Sequence, residues 1–263
     1  MKYNSLRRAA QAIAVGLIVV FAMSCSNKDY PAPLPEGVHE AVDMGLPSGT
    51  KWASTNIGAY VPHQIGLYFA WGETVGYTGD PNDGRNFYFE DYKWHNNPEY
   101  IAFMGTTKYQ VPDTLDGKNG HPRGCWYDKD GNFIGDNKTE LDPEDDAARV
   151  LWGNGWRMPT RNEVGELCKN CDFIWETIDG MVGVRLTSKI NGNSLFFPAC
   201  GDRGNGEIHW VGQQGYYWSS TVDVTNTAYA CYLVFSSYGV YPWSSWRFGG
   251  RNIRPVINDS ENK

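Results

Sequence analysis

The sequence predicts an α+β domain: two helices set among many short antiparallel strands, joined by long ordered loops. Three observations predict it. Two segments carry helix-capping signatures. Downstream of Cys171, six short apolar and aromatic runs alternate with turn residues, the pattern of consecutive strands. Aromatic residues make up 14% of the chain beside 30 glycines, a composition far from disorder and rich in turns.

In chain order, residues 1–24 read as a lipoprotein signal peptide. Lys2, Arg7 and Arg8 form a cationic start, and "AAQAIAVGLIVVFA" is an apolar run of leader length, short for a membrane span. The following "AMSC" places a small residue before Cys25, so Cys25 is the expected lipidation site. Diacyl or triacyl anchoring there makes the membrane a lasting partner. Ser26 carries no aspartate-type retention signal, which favours the outer membrane. Residues 25–37 are a Pro-rich tether, 38–257 a single domain, and 258–263 a polar tail.

Within the domain, "EAVDMGLPSGTKWASTNIGA" reads as strand–turn–strand and "GLYFAWGE" as a short aromatic strand. About residues 79–138 are a loop-rich insertion, with turn signals in series. "LDPEDDAARVLWG" predicts a helix with Asp142 as N-cap and Pro143 in the first turn. "PTRNEVGELCKNC" predicts a second, with Thr160 and Glu163 as a capping box and Val164, Leu167 and Cys168 on one apolar face. The strands that follow are "VGVRLTS", "SLFFPAC", "GYYWSS", "AYACYLVFS", "GVYPWSS" and "NIRPVI".

The composition excludes some classes. The formal net charge of −7 becomes more negative once the cationic leader is removed, which argues against nucleic acid as a partner. With Cys25 assigned to lipid, Cys125, Cys168, Cys171, Cys200 and Cys231 remain, an odd number whose pairing the sequence leaves open. The Cys168–Cys171 spacing lacks the second ligand pair of a zinc site and the preceding βαβ unit of a redox site, so a structural role at a helix end is expected. Asp128, Asp130, Gly131 and Asn132 resemble the start of a calcium loop but lack its closing glutamate, which leaves a β-turn. Glu73, Glu163, Glu166, Asp202 and Glu207 are raw material for a carboxylate pair that sequence cannot assemble. The histidines are scattered and no hydrolase, zincin or P-loop motif occurs. The expectation is a non-enzymatic protein without metal or cofactor.

"EAVDMGLPSGTKWASTNIGA", "YFAWGET", "DDAARVLWGNGWRMPTRNEVGEL", "GNSLFFPACG", "GYYWSST" and "GRNIRPV" occur in that order. Together they resemble the Fibrobacter succinogenes major paralogous domain of Bacteroidota surface lipoproteins. The resemblance covers about residues 38–257 and implies a C-type-lectin-like fold of the formylglycine-generating-enzyme type, on a ligand-binding or adhesive surface protein. The EPN or QPD and WND triplets of calcium-dependent lectins are absent, as is a match to the reactive cysteine site of formylglycine-generating relatives.

Some relatives of this fold carry a C-terminal segment diversified by retroelements. On that alignment Leu233, Phe235, Val240 and Ile253 are scaffold, while Tyr232, Tyr238, Tyr241, Trp243, Ser245, Trp246 and Phe248 point outward as the ligand-binding set. Adenine-directed change cannot produce tryptophan, so Trp243 and Trp246 count against active diversification there. The expected function is adhesion or recognition of a glycan or protein ligand at the cell surface. Alternatives are an accessory subunit of a fimbrial or nutrient-uptake complex, a retroelement target, and a carbohydrate-active enzyme.

Overall fold

The computed structural model describes residues 39–95, 106–112, 130 and 132–258. Cys25 and Cys125 lie outside them, as do the leader, the tether, the tail beyond Asn258 and much of the insertion, including Asp128 and Gly131 of the calcium-like turn. The described chain is mostly antiparallel sheet with two α-helices. No helix among the described residues is long and apolar enough to cross a membrane.

The predicted strand–turn–strand is β1 (Ala41–Asp43) and β2 (Lys51–Ala53), paired with Val42 opposite Trp52. The other edge of β2 takes β11 (Val256–Ile257), with Val256 also opposite Trp52. The two ends of the described chain are thus sealed over one buried indole. Of "NIRPVI" only these last two residues join a sheet, because Arg254 turns inward. Its buried guanidinium donates to Asn56 Oδ1 and to the carbonyls of Ala53, Ser54 and Phe196, within 4.3 Å of the Phe197 ring centroid. One side chain thereby satisfies backbone acceptors from two separate parts of the fold.

"GLYFAWGE" does not form a strand. Tyr68 and Phe69 make only isolated bridges, to Tyr77 and Arg251. Both ring systems nearby are held by backbone carbonyls instead: Trp71 Nε1 donates to Ser219 O and Trp218 Nε1 to Phe69 O, each at 2.8 Å. The described parts of the insertion are pinned the same way. Arg247 lies 4.6 Å from the Trp71 ring centroid and donates to Tyr92 Oη, Thr106 Oγ1, Thr227 O and Lys108 O. Arg203, also buried, grips both oxygens of Asp83 and the carbonyls of Thr78 and Arg85.

The first helix, α1 (Ala147–Trp152), starts four residues later than predicted, since Pro143–Asp145 closes as a 3-10 turn. Its cap is Asp146, not Asp142. The Asp146 carboxylate accepts from the backbone of Ala148, Arg149 and Met158, tying the helix start to the chain beyond its end. Asp142 is instead drawn to Lys108 and Lys138. The second helix, α2 (Arg161–Asn170), has the predicted capping box of Thr160 and Glu163 and buries Val164 and Leu167.

Cys171 ends α2 and begins β3 (Cys171–Ile178), a strand the sequence pattern does not mark because both of its faces carry mixed polarity. β3 forms a meander with β4 (Met181–Ser188) and β5 (Ser194–Pro198). A small hairpin, β6 (Asp202–Gly204) and β7 (Glu207–His209), leads to a second meander of β8 (Gln214–Val222), β9 (Tyr229–Ser236) and β10 (Gly239–Trp246), with β9 central. The meanders meet through Phe197, Tyr217 and Phe235, with ring centroids 5.3 to 6.4 Å apart, a range in which aromatic pairs attract.

Candidate ligand-binding face

Strand alternation puts Tyr217, Leu233 and Phe235 on the core side of the β8–β9–β10 sheet, and the residues between them on the other. Register then builds two cross-strand rows on that outer side. Trp218, Tyr232 and Trp243 form one, and Tyr216, Val234 and Tyr241 the other. Five of these six side chains are aromatic. Tyr216 and Tyr232 lie 5.8 Å apart, as do Trp218 and Tyr232.

The face is closed at its β8 end and open at β10. Trp218 is fully buried and Tyr232 is 5% exposed, whereas Tyr241 is 54% and Trp243 64% exposed. The cover over the closed end is Arg251, whose guanidinium sits 4.2 Å from both the Trp218 and Tyr232 centroids. Beside it, Arg251 Nη2 faces Asp202 Oδ2 at 3.8 Å. Burial holds the Asp202 carboxyl above its usual range against the pull of Arg251 and His209, and burial also lowers the Arg251 pKa. At the open end Tyr241 lies back along its own strand, over Gly239. A Cβ there would fall 2.0 Å from Tyr241 Oη, so the missing side chain is what lets the ring settle. Tyr241 Oη donates to Tyr238 O at 3.4 Å.

The ligand-binding set expected from sequence therefore divides. Tyr241 and Trp243 stand exposed on one face, and Tyr238 projects from the β9–β10 turn. Tyr232 is a correction: it shares their face but is buried under Arg251, because that row runs inward toward β8. Ser245 is half-buried opposite Ala230. Trp246 and Phe248 are half-buried against Tyr229 and Phe89, and Phe248 also packs on the main core. Leu233, Phe235 and Ile253 are buried and Val240 packs on the core, as scaffold. Tyr216 and Arg251 complete the face from outside the expected set, and Asp202, which the sequence offers only as one of five candidate carboxylates, joins them. The alternation in "GYYWSS" carries the signal for Tyr216; nothing local marks Arg251 or its pairing with Asp202.

Other candidate chemistry is committed to structure. Glu73 is held bidentately by Arg85 and Glu163 by Arg157, while Glu166 accepts from Ser48 N. Burial would raise the Glu163 pKa, but hydrogen bonds from Arg157, Thr50 and Thr160 overcome it and hold the carboxyl at about 2. Asp142, Glu144 and Asp145 cluster closely enough to suggest a cation, yet Lys93, Lys108 and Tyr109 already donate to Asp145. Cys168, Cys171, Cys200 and Cys231 are free thiols, and burial pushes them to about 12, 11, 12 and 11. Thiols of that kind are poor nucleophiles and poor metal ligands at neutral pH. No family model matches the chain, and comparison with curated proteins and with solved structures likewise returned no match.

Proposed function

We propose that this chain is a lipid-anchored outer-membrane binding protein of C-type-lectin-like fold that takes a glycan or protein ligand on the open end of the aromatic face. One observation carries the reading: Tyr241 and Trp243 stand more than half exposed on the same side of one strand, opposite Val234 and Tyr232 in register. Large rings held open to water in a contiguous patch are costly unless a ligand covers them. Rings on a strand also need little ordering on binding, so most of their contact energy reaches the ligand. Two helices among short antiparallel strands and long ordered loops support the fold assignment. Capture of Glu73 and Glu163 by arginines supports recognition over glycoside hydrolysis. The anchor rests on the leader and Cys25. The test is binding of the full chain to glycan and protein arrays before and after Trp243→Ala. Unchanged binding by that variant would sink the proposal.

A further inference from the structure

Four arginines of the described chain are buried, and three are held by several hydrogen bonds each, although Arg203 Nε also lacks a partner. Arg203, Arg247 and Arg254 each donate four side-chain hydrogen bonds. Arg251, only 4% exposed, makes none from its guanidinium among the described residues, and its Nε and Nη1 are enclosed without a partner. A buried guanidinium in that state forfeits charge-assisted bonds that its neighbours in the fold all make. Contact with two ring faces recovers part of the loss. Asp202, the natural counter-ion, stops at 3.8 Å from Nη2, beyond hydrogen-bond length.

That separation fits a third atom. One hydroxyl oxygen about 2.9 Å from both groups accepts from Arg251 Nη2 and donates to Asp202 Oδ2. An anionic ligand does not fit: it would meet the Asp202 carboxylate on a chain of net charge −7. A neutral polyol meets neither objection. From the pair above β8 to Tyr241 and Trp243 on β10 is two strand spacings, about 10 Å, which exceeds one sugar ring. The surface between is Tyr216, Val234 and the rim of Tyr232.

We propose that Asp202 and Arg251 are the polar specificity pair of the aromatic face, and that its ligand is a neutral oligosaccharide of at least two rings. A hydroxyl bridges the pair while the apolar side of a neighbouring ring stacks on Tyr241 and Trp243. This inference rests on the binding-face reading above and names its ligand class.

The test uses the detergent-solubilised full chain on a printed panel of neutral gluco-, manno-, galacto- and xylo-oligosaccharides beside sialylated and sulfated ones. Binding to a neutral oligomer is expected, with its monosaccharide competing at least tenfold more weakly. Asp202→Ala should weaken that binding tenfold or more. Asp202→Asn, which keeps the shape and one acceptor, should fall between, and thermal melts establish that each variant is folded. Binding confined to acidic glycans, or to none, overturns the inference. So does an Asp202→Asn variant that melts lower yet binds as tightly, which marks the pair as structural only. If Trp243→Ala abolishes binding while both Asp202 variants retain it, this inference fails and the face reading stands. If neither position matters, both fail.

Discussion

Trp243 and Tyr232 sit opposite each other in one cross-strand row, yet truncating them should have opposite consequences. Trp243 is 64% exposed, so only about a third of its surface, roughly 80 Å², is covered by the fold. At about 25 cal/mol per Å² that is about 2 kcal/mol, an upper figure because the unfolded chain also hides apolar surface. Trp243→Ala should therefore lower Tm by no more than about 8 °C for a domain of this size. Its effect on ligand is larger, since truncating a central aromatic anchor costs about 2 kcal/mol or more, roughly 30-fold in Kd. Tyr232→Ala removes a 5%-exposed ring, for about 3–5 kcal/mol, and strips Arg251 of a face 4.2 Å away. A Tm loss of about 6–20 °C is expected, against about 4–8 °C at most for Trp243→Ala. Differential scanning fluorimetry and array binding on the same preparations decide it. Equal stability losses would show that Trp243 is core, and the argument for a binding face would fail.

Three further outcomes follow from particular contacts. Gly239→Ala should displace the Tyr241 ring from its resting place and weaken ligand binding severalfold, with Tm almost unchanged, since the obstructed atoms end a flexible side chain. The Glu163 carboxyl lies at about 2 when folded against an ordinary 4.5, so its bonds contribute fully above about pH 4.5 and are lost as pH falls toward 2. That displacement is worth about 3 kcal/mol at about 1.4 kcal/mol per pH unit. Glu163→Gln should melt lower at pH 7 and show a flatter fall of Tm from pH 5 to 2; parallel curves would contradict the ion-pair account. Cys25→Ser should move the chain from the membrane to the soluble fraction and stop incorporation of an alkyne-labelled fatty acid, and persistence of both signals would refute the anchor.

Much of the local architecture was legible. Thr160 and Glu163 mark the start of α2 because a capping box is closed by residues three apart. The strands β4, β5, β8, β9 and β10 lie where short aromatic and β-branched runs stand between turn residues. Two expectations failed where a distant partner outweighed a local preference. "GLYFAWGE" has strand composition, but its backbone follows the Arg247–Arg251 segment, its Trp71 ring donates to Ser219 O of β8, and the Trp218 ring of β8 donates back to Phe69 O. Asp142 has the better local claim to cap a helix than Asp146, until Lys108 and Lys138 draw it away and Met158 adds a backbone donor to Asp146.

Residue order alone shows which positions alternate, where helix α2 begins, and that aromatics concentrate between Tyr232 and Phe248. Alternation is a property of one strand, so it puts Tyr241 and Trp243 on one side of β10; Tyr232 of β9 joined them only through the family resemblance, which did not distinguish the three. Which end of that side is open depends on a distant segment, because Arg251 reaches back from beyond β10 to cover the β8 end. The pairing of Asp202 with Arg251, separated by most of the sheet in sequence, likewise exists only once the β6–β7 hairpin is bridged to Gly250. Exposure depends on what folds over a residue, and that is a sum over distant chain segments that no local pattern contains.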